Sequence, residues 1–548
     1  MKTHCDVTDP RDSLVCVCDL QSTLGTMASA QLFTLFIVAP LMALIGAWFV
    51  VQRYRASMKR LMKTPLSPTA AGSTVAAFPK HPADDLSRTT ATAPLTLGDN
   101  LRAYRRLLLS FLILSLLMAL TRTLTMQVIA NGPISIKSVA VLGTAYAWPV
   151  LPVIAVISRW SRWQVVGAVL SWFIFAVLLL SWRTDQTVTF TSVVAWMVFD
   201  IVLPIIVVSA LCLGSATRAV GPWLAPLFVL FSAASLLGFE FLATLVAADD
   251  PVIQWLARWL GSTPAIYFLF ALSPWLIVWW PARALGRWLA KAYRQRRISE
   301  LFYLFTAVWT IALIGPALAM IGDLGWGALI GFLPLCWIPL GARFMQVLAE
   351  VPATGRPPTL LVLRVFQQDA NVQDIFDRVI ERWRLTGNTV LIAGTDLLER
   401  TIDADDIFTF IDGRLGERFI QSLPDVPRRL AAFEWRPDLE GRYRVNECYC
   451  HDTSWQEALD ELVRVSDIVL MDLRNFVAGN KGCLHELNVL SRAPGLRRVV
   501  VLINDQTDLP AAHAAVTMAP HDRFVWLRQQ GKAPLPTEAV LAPLFLGT

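Results

Sequence analysis

Apolar stretches of about 20 residues, the length that crosses a hydrocarbon core, recur through the first two-thirds of the chain. They lie near 31–51, 107–127, 138–157, 164–182, 190–213, 221–246, 264–281, 301–321 and 324–343, which gives nine candidate membrane helices. Beyond residue 350 the pattern shortens. Strand-like runs at Thr359–Phe366, Asn388–Ala393, Arg442–Cys450, Asp467–Leu473, Arg498–Asn504 and Arg523–Leu527 alternate with helical periods at Val372–Leu385, Asp406–Ser422, Trp455–Val465 and Cys483–Ser491. Ile468–Leu470 and Val499–Ile503 are continuous aliphatic runs, the mark of strands buried on both faces. The pattern predicts an α-helical polytopic membrane region followed by a three-layer α/β domain with a mostly parallel sheet.

The same pattern divides the chain. Residues 1–30 are a polar N-terminal tail, 31–343 the membrane region with a linker over 52–106, 344–358 a second linker, and 359–548 the α/β domain. Residues 64–98 are rich in Pro, Ala, Ser and Thr and offer little to bury. The first apolar run has no basic stretch before it and is too long for a signal-peptide core, so it is expected to stay as an anchor. Lys and Arg then set the orientation. Arg53, Arg55, Lys59 and Arg60 follow the first run, Arg159 and Arg162 the third, Arg218 the fifth, and Arg283, Arg287, Lys291 and Arg294 the seventh. With nine spans all of these share one side, which puts the N-terminus outside and the α/β domain in the cytoplasm.

Composition changes the picture in few places. The chain is 55% hydrophobic and 16% charged, with 21 Trp, as expected where amphipathic aromatics line membrane interfaces. A net charge of +6 comes from cations beside apolar runs, so topology explains it and nucleic acid is not an expected partner. There is no fixed-period repeat and no Gly-x-x-x-x-Gly-Lys-Ser/Thr sequence to support ATP-driven transport. Cys5, Cys16 and Cys18 fall in the outer tail, whereas Cys448, Cys450 and Cys483 fall on the reducing side. Cys448-Tyr449-Cys450 lacks the spacing and the second pair that zinc needs. Within the apolar runs, Asp200 and Glu240 are intramembrane acids, read either as an ion or ligand pathway or as interhelical hydrogen bonds. Arg122 is expected to snorkel from the outer end of the second run.

The one stretch with chemical content is Ser466–Phe476 followed by Gly482-Cys483-Leu484-His485-Glu486-Leu487. It reads as a buried strand, a polar loop, and a helix whose first turn presents the carboxylate of Glu486 at the carboxyl edge of the sheet, where open α/β folds bind ligands. The competing reading is a helix-start acid in water, favoured by the helix dipole. Cys483 reads as a packed small residue rather than a nucleophile.

This order of elements resembles the third-strand region of TIR domains, in which a Trp/Gly-Cys-x-x-Glu-Leu turn opens the next helix. It is similar also to the nucleoside 2-deoxyribosyltransferases, with their Gly-Thr-x-x-Glu-Leu helix. The resemblance covers residues 445–490. It implies a flavodoxin-like sheet and chemistry at the N-glycosidic bond of NAD or a nucleoside, with NAD as substrate and no bound cofactor or metal. Transferred by position, Glu486 is the catalytic carboxylate, with Asp472, Asn475, Asn480 and Gly482 in the surrounding ligand-binding loops. Such an anion would stabilise or capture the oxocarbenium-like sugar. The first strand lacks the aromatic-Ser-aromatic ending of TIR domains, the loop at His451-Asp452-Thr453-Ser454 lacks their Pro-Gly, and a unit around 388–422 reads as inserted.

Three functions follow as expectations. The first is a membrane-anchored sensor or effector whose cytosolic domain binds and hydrolyses a nucleotide. The second is a non-catalytic signalling scaffold that forms homo-oligomers through that domain. The third is a transporter or channel regulated by a nucleotide. All three place the chain in a lipid bilayer.

Overall fold

The computed structural model describes residues 39–63, 92–129, 134–158, 160, 162–183, 215–319, 324–349, 355–364, 375–393, 404–420, 425–450, 454–520, 522–531, 533 and 535–545. Its first part is helical: α1 (Ala39–Lys63), α2 (Leu97–Ile129), α3 (Ile136–Tyr146), α4 (Val150–Ile157), α5 (Arg162–Arg183), α6 (Ser215–Ala247), α7 (Pro251–Leu260), α8 (Thr263–Arg294), α9 (Glu300–Ala319) and α10 (Trp337–Ala349).

Among the described residues, three helices are long and apolar enough to cross a membrane: Leu97–Ile129, Thr263–Arg294 and Gly327–Leu348. A fourth candidate is the pair α3 and α4, bent by 48°. This is fewer than the nine expected. The pattern of apolar residues does not show where a helix breaks. Within the runs 164–182, 221–246 and 301–321 only the shorter apolar stretches Trp163–Leu179, Ala233–Ala247 and Glu300–Ile314 qualify, and Pro149 starts a new helix within the run 138–157. The run 190–213, with Asp200, lies outside the described residues. Glu240 lies on the exposed side of α6. Arg122 does not snorkel: it is buried, with its guanidinium 4.1 Å from the Tyr146 ring centre.

α6 and α8 cross where both can come close. Pro274 has no N–H to donate to the Phe270 carbonyl one turn earlier, and that carbonyl abuts Gly238, where a Cβ would lie 2.0 Å from its oxygen. Beside the crossing, the Ser235 hydroxyl donates to the Ala271 carbonyl (2.9 Å) and accepts from the Trp275 indole (2.8 Å).

The second part holds a seven-stranded, all-parallel sheet in the order β3-β4-β2-β1-β5-β6-β7. The strands are β1 (Thr359–Arg364), β2 (Asn388–Ala393), β3 (Phe419–Ile420), β4 (Val445–Cys450), β5 (Ile468–Asp472), β6 (Arg498–Ile503) and β7 (Phe524–Arg528). Its helices are α11 (Ala404–Ile411), α12 (Asp425–Ala431), α13 (Trp455–Val465), α14 (Lys481–Arg492), α15 (Leu509–Ala515) and α16 (Thr537–Leu541), with helical turns at Ile375–Ile380 and Glu381–Trp383. Strand alternation sends Leu360, Val362, Ile468 and Leu470 into one core, beneath Trp383, Ile407 and Leu541. Leu361, Leu363, Val469 and Met471 enter the other, beneath Leu459, Leu487 and Ala512. The three layers expected from the aliphatic runs are present.

Two local expectations change. The run 406–422 is not one helix: α11 ends at Ile411, Gly413 takes a left-handed φ of 75°, and after a 3-10 turn the chain becomes edge strand β3. The unit that reads as inserted supplies β2, which is central, between β1 and β4. The linkers are also less free than expected. The inner half of α1 puts Val51, Tyr54 and Met58 into the first core. The Ala93 amide donates to the Arg356 carbonyl (2.9 Å), and Arg356 pairs with Asp467 at the start of β5 (2.5 Å).

Candidate functional site

From β1 the chain moves to β2 on one side, while β5, β6 and β7 extend to the other, so the direction of strand order reverses between β1 and β5. The helical turns after β1 cover one face and α14, after β5, covers the other. At such a switch point the two connections diverge and leave a crevice above the carboxyl ends of the strands. Residues 365–374, which follow β1, lie outside the described set.

α14 begins at Lys481, which puts Glu486 in its second turn rather than its first. The sheet-facing stripe of α14 is Cys483, Glu486, Leu487 and Leu490, at helical spacing. Glu486 is 4% exposed, so it is not an acid in water at a helix start, and its Oε2 has no hydrogen-bond partner. Burial pushes the carboxyl from its ordinary 4.5 up to about 8. The low-dielectric surroundings penalise the anion and no partner repays it, so the group is mostly protonated at neutral pH. Cys483, one turn earlier, is pushed up to about 12 by the same burial and by the nearby Glu486 charge, which makes it a packing residue rather than a thiolate nucleophile. His485 packs edge-on against Trp455 at 5.4 Å between ring centres.

None of the other expected site residues is hydrogen-bonded to Glu486. Asp472 ends β5 in the register of Ile468 and Leu470 and so faces the opposite side of the sheet from α14. Its carboxylate accepts from the Arg474 amide (3.2 Å), Nε (2.8 Å) and Nη2 (2.8 Å), and Arg474 Nη1 donates to Gln529 (2.7 Å). Asn475 has a left-handed φ of 62° and exchanges hydrogen bonds with Asn504, its amide to Oδ1 (3.0 Å) and its Oδ1 from Nδ2 (2.7 Å). Asn480 precedes α14 and its side chain does not cap it, and a Cβ at Gly482 would meet nothing within 4 Å. The start of α14 is thus sterically open. The loop between is held to the loop after β6: the Thr507 hydroxyl donates to the Leu473 carbonyl (2.9 Å), and the Asp508 amide donates to that of Phe476 (2.9 Å).

A second polar cluster lies where the α/β domain meets the helices. Arg442 pairs with Glu300, the first residue of α9 (2.9 Å), and with Glu381 (2.8 Å). Arg444 pairs with Asp438 (2.8 Å), donates to the Tyr293 carbonyl of α8 (2.9 Å), and lies 4.0 Å from that residue's ring centre. Glu440 is buried among them, pushed up to about 7 by burial and by Asp438 despite Arg442 nearby. The visible sequence signal was Arg442 and Arg444 at alternate positions in the expected strand Arg442–Cys450, where cations have no place unless paired. Gln529 and Asn504 carried no such signal, because their partners Arg474 and Asn475 are distant in sequence, and Arg474, two residues after Asp472, read only as part of a polar loop.

No protein-family model matches this chain, and no curated protein or solved structure matches it either.

Proposed function

We propose that the chain is a membrane-anchored, cytoplasm-facing effector whose TIR-like α/β domain binds a nucleotide at the β1/β5 switch point and cleaves its N-glycosidic bond with Glu486. The observation that carries this is the buried, unpartnered Glu486 carboxyl, one turn inside a helix with an open start. A native fold rarely retains a buried acid without a hydrogen-bond partner. The strand order β2-β1-β5-β6-β7 supports the reading, since it follows the doubly wound 2-1-3-4-5 order with β3 and β4 added outside β2. A positively charged substrate such as NAD, whose nicotinamide ring is cationic, would favour the carboxylate over the acid. Glu486 would then give its proton to solvent as the ligand enters and stabilise the positive charge that grows on the ribose as the bond breaks. Nicotinamide leaves neutral with the bonding electron pair, and water adds to the sugar and releases a proton. The membrane region contributes the anchor, with the cation-rich ends of its helices on the side of the α/β domain.

A non-catalytic signalling role is the second reading, favoured by the internal hydrogen bonding of Asp472 and Asn475. Transport has no comparable support, because Glu240 is on an exposed helix side. The full-length protein in lipid nanodiscs, incubated with NAD and with nucleosides, separates the two readings through the free base released. Release that Glu486→Gln abolishes is the expected result. Turnover retained by that variant removes Glu486 from the chemistry, and binding without release selects the signalling role.

A further inference from the structure

α7 is a short helix with firm ends and no buried residue. Asp250 caps its start by accepting from the Val252 amide (2.9 Å), Pro251 occupies the first turn, and Gly261 ends it in a left-handed conformation with φ 63°. At about 1.5 Å per residue it is roughly 15 Å long, half a hydrocarbon core, so it cannot cross one. Its apolar side is directed outward. Val252, Trp255 and Trp259, at i, i+3 and i+7, share one face, with Trp255 61% and Trp259 74% exposed and their rings stacked at 6.2 Å with planes 3° apart. Gln254 and Ala257 form the opposite side, and Arg258 is exposed at the flank, about 100° round the helix from Trp259.

The surface is continuous with an apolar belt. α8 follows directly after Gly261, and its exposed residues Phe268, Leu269, Leu272, Leu276 and Ile277 extend the apolar surface away from α7. The belt ends at Trp279 and Trp280, both exposed, after which Arg283 and Arg287 follow. Residues 263–280 span about 27 Å at the helical rise, close to one hydrocarbon thickness. A stretch of α8 about one hydrocarbon thickness long thus separates the end of α7 from Trp279 and Trp280, the spacing of two aromatic girdles. Beyond the inner girdle α8 reaches the α/β domain, where Tyr293 stacks on Phe408 (4.7 Å) and Arg294 pairs with Asp412 (2.5 Å).

We infer that α7 is an interfacial anchor that binds the phospholipid headgroup layer of the leaflet remote from the α/β domain. Val252, Trp255 and Trp259 enter the layer, and Arg258, beside them, reaches the phosphates. A short amphipathic helix with stacked indoles suits this boundary, where ring bodies are desolvated and N–H groups keep polar partners. The inference rests on the membrane placement proposed above and adds a depth to it.

The test is tryptophan quenching in the full chain reconstituted in phosphatidylcholine vesicles, compared with the double variant Trp255→Phe/Trp259→Phe. The wild-type-minus-variant emission isolates the two indoles. It should fall by about half or more with bromines at acyl carbons 6 and 7, and much less with bromines at 15 and 16, as expected for interfacial rings. Equal insensitivity to both lipids with blue-shifted emission would mean that protein, such as a second copy, covers the helix. Quenching by aqueous iodide alone would mean that it stands in water. Either result overturns the inference while leaving the membrane placement intact, whereas failure of the chain to float with the vesicles overturns both.

Discussion

Arg442 holds Glu300 at 2.9 Å and so ties the segment just before β4 to the first residue of a helix from the other half of the chain. The same guanidinium binds Glu381 at 2.8 Å, and both its partners and Arg442 itself are largely withdrawn from water. Removing one member of a buried ionic set leaves the others unpaired, at a cost of about 3–5 kcal/mol. Arg442→Met should therefore lower the unfolding midpoint of the full chain in nanodiscs and increase protease cleavage between α8 and α9. Replacing all three by Met or Leu should recover part of the loss. A single variant as stable as the wild type would show that the cluster does not hold the two parts together.

Arg474 has a similar role at the carboxyl edge of the sheet. Its fork binds Asp472 through Nε and Nη2 and reaches Gln529 through Nη1. Lysine cannot reproduce that geometry. Arg474→Lys should cost about 1–3 kcal/mol in chemical unfolding, the penalty for leaving buried polar groups unsatisfied. Base release should survive, since Asp472 faces the sheet side opposite Glu486; its complete loss in a folded Arg474→Lys protein would place Asp472 in the reaction.

The strands were the most legible part of the chain. Asn388–Ala393 and Trp455–Val465 coincide with observed elements, and β1, β4, β5, β6 and β7 differ from their expected limits by a few residues. Aliphatic runs between polar breaks specify such strands almost alone. Glu486 was legible as a candidate because its neighbours matched a motif, but its burial was not, since that depends on the packing of α14 against the sheet. Asp472 illustrates the limit. Strand parity, which sequence does contain, places it opposite α14, whereas nearness along the chain suggested otherwise. The membrane helices were least legible, because hydropathy marks apolar residues and not a bend such as that at Pro149, where one apolar run becomes two helices.

Gly238 and Gly482 should respond in opposite ways to alanine. At Gly238 a methyl would lie 2.0 Å from the Phe270 carbonyl oxygen, which backbone cannot vacate without parting α6 from α8. Overpacking of this kind costs about 1–3 kcal/mol. At Gly482 nothing lies within 4 Å, and alanine favours a helix over glycine by about 1 kcal/mol. Thermal unfolding in nanodiscs should show Gly238→Ala lowered and Gly482→Ala unchanged or raised. A Gly238→Ala protein as stable as the wild type would deny the close crossing.

Glu486 should make the protein less stable as pH rises. Its carboxyl ionises near 8 when folded and near 4.5 when unfolded. The folded state therefore holds the extra proton between these values, and the contribution is full below about pH 4.5 and lost as pH rises through 8. The ceiling on that loss is about 5 kcal/mol, from the full difference between the two values. Glu486→Gln keeps the shape without the titration, so its stability relative to the wild type should increase from pH 5 to pH 9. The same linkage governs binding: a cationic ligand that requires the carboxylate should bind about tenfold more tightly per pH unit up to 8 and level off above it. Parallel stability profiles for wild type and Glu486→Gln across this range would show that the carboxyl is already ionised in the folded protein, and with that the need for a charged ligand to draw off its proton would disappear.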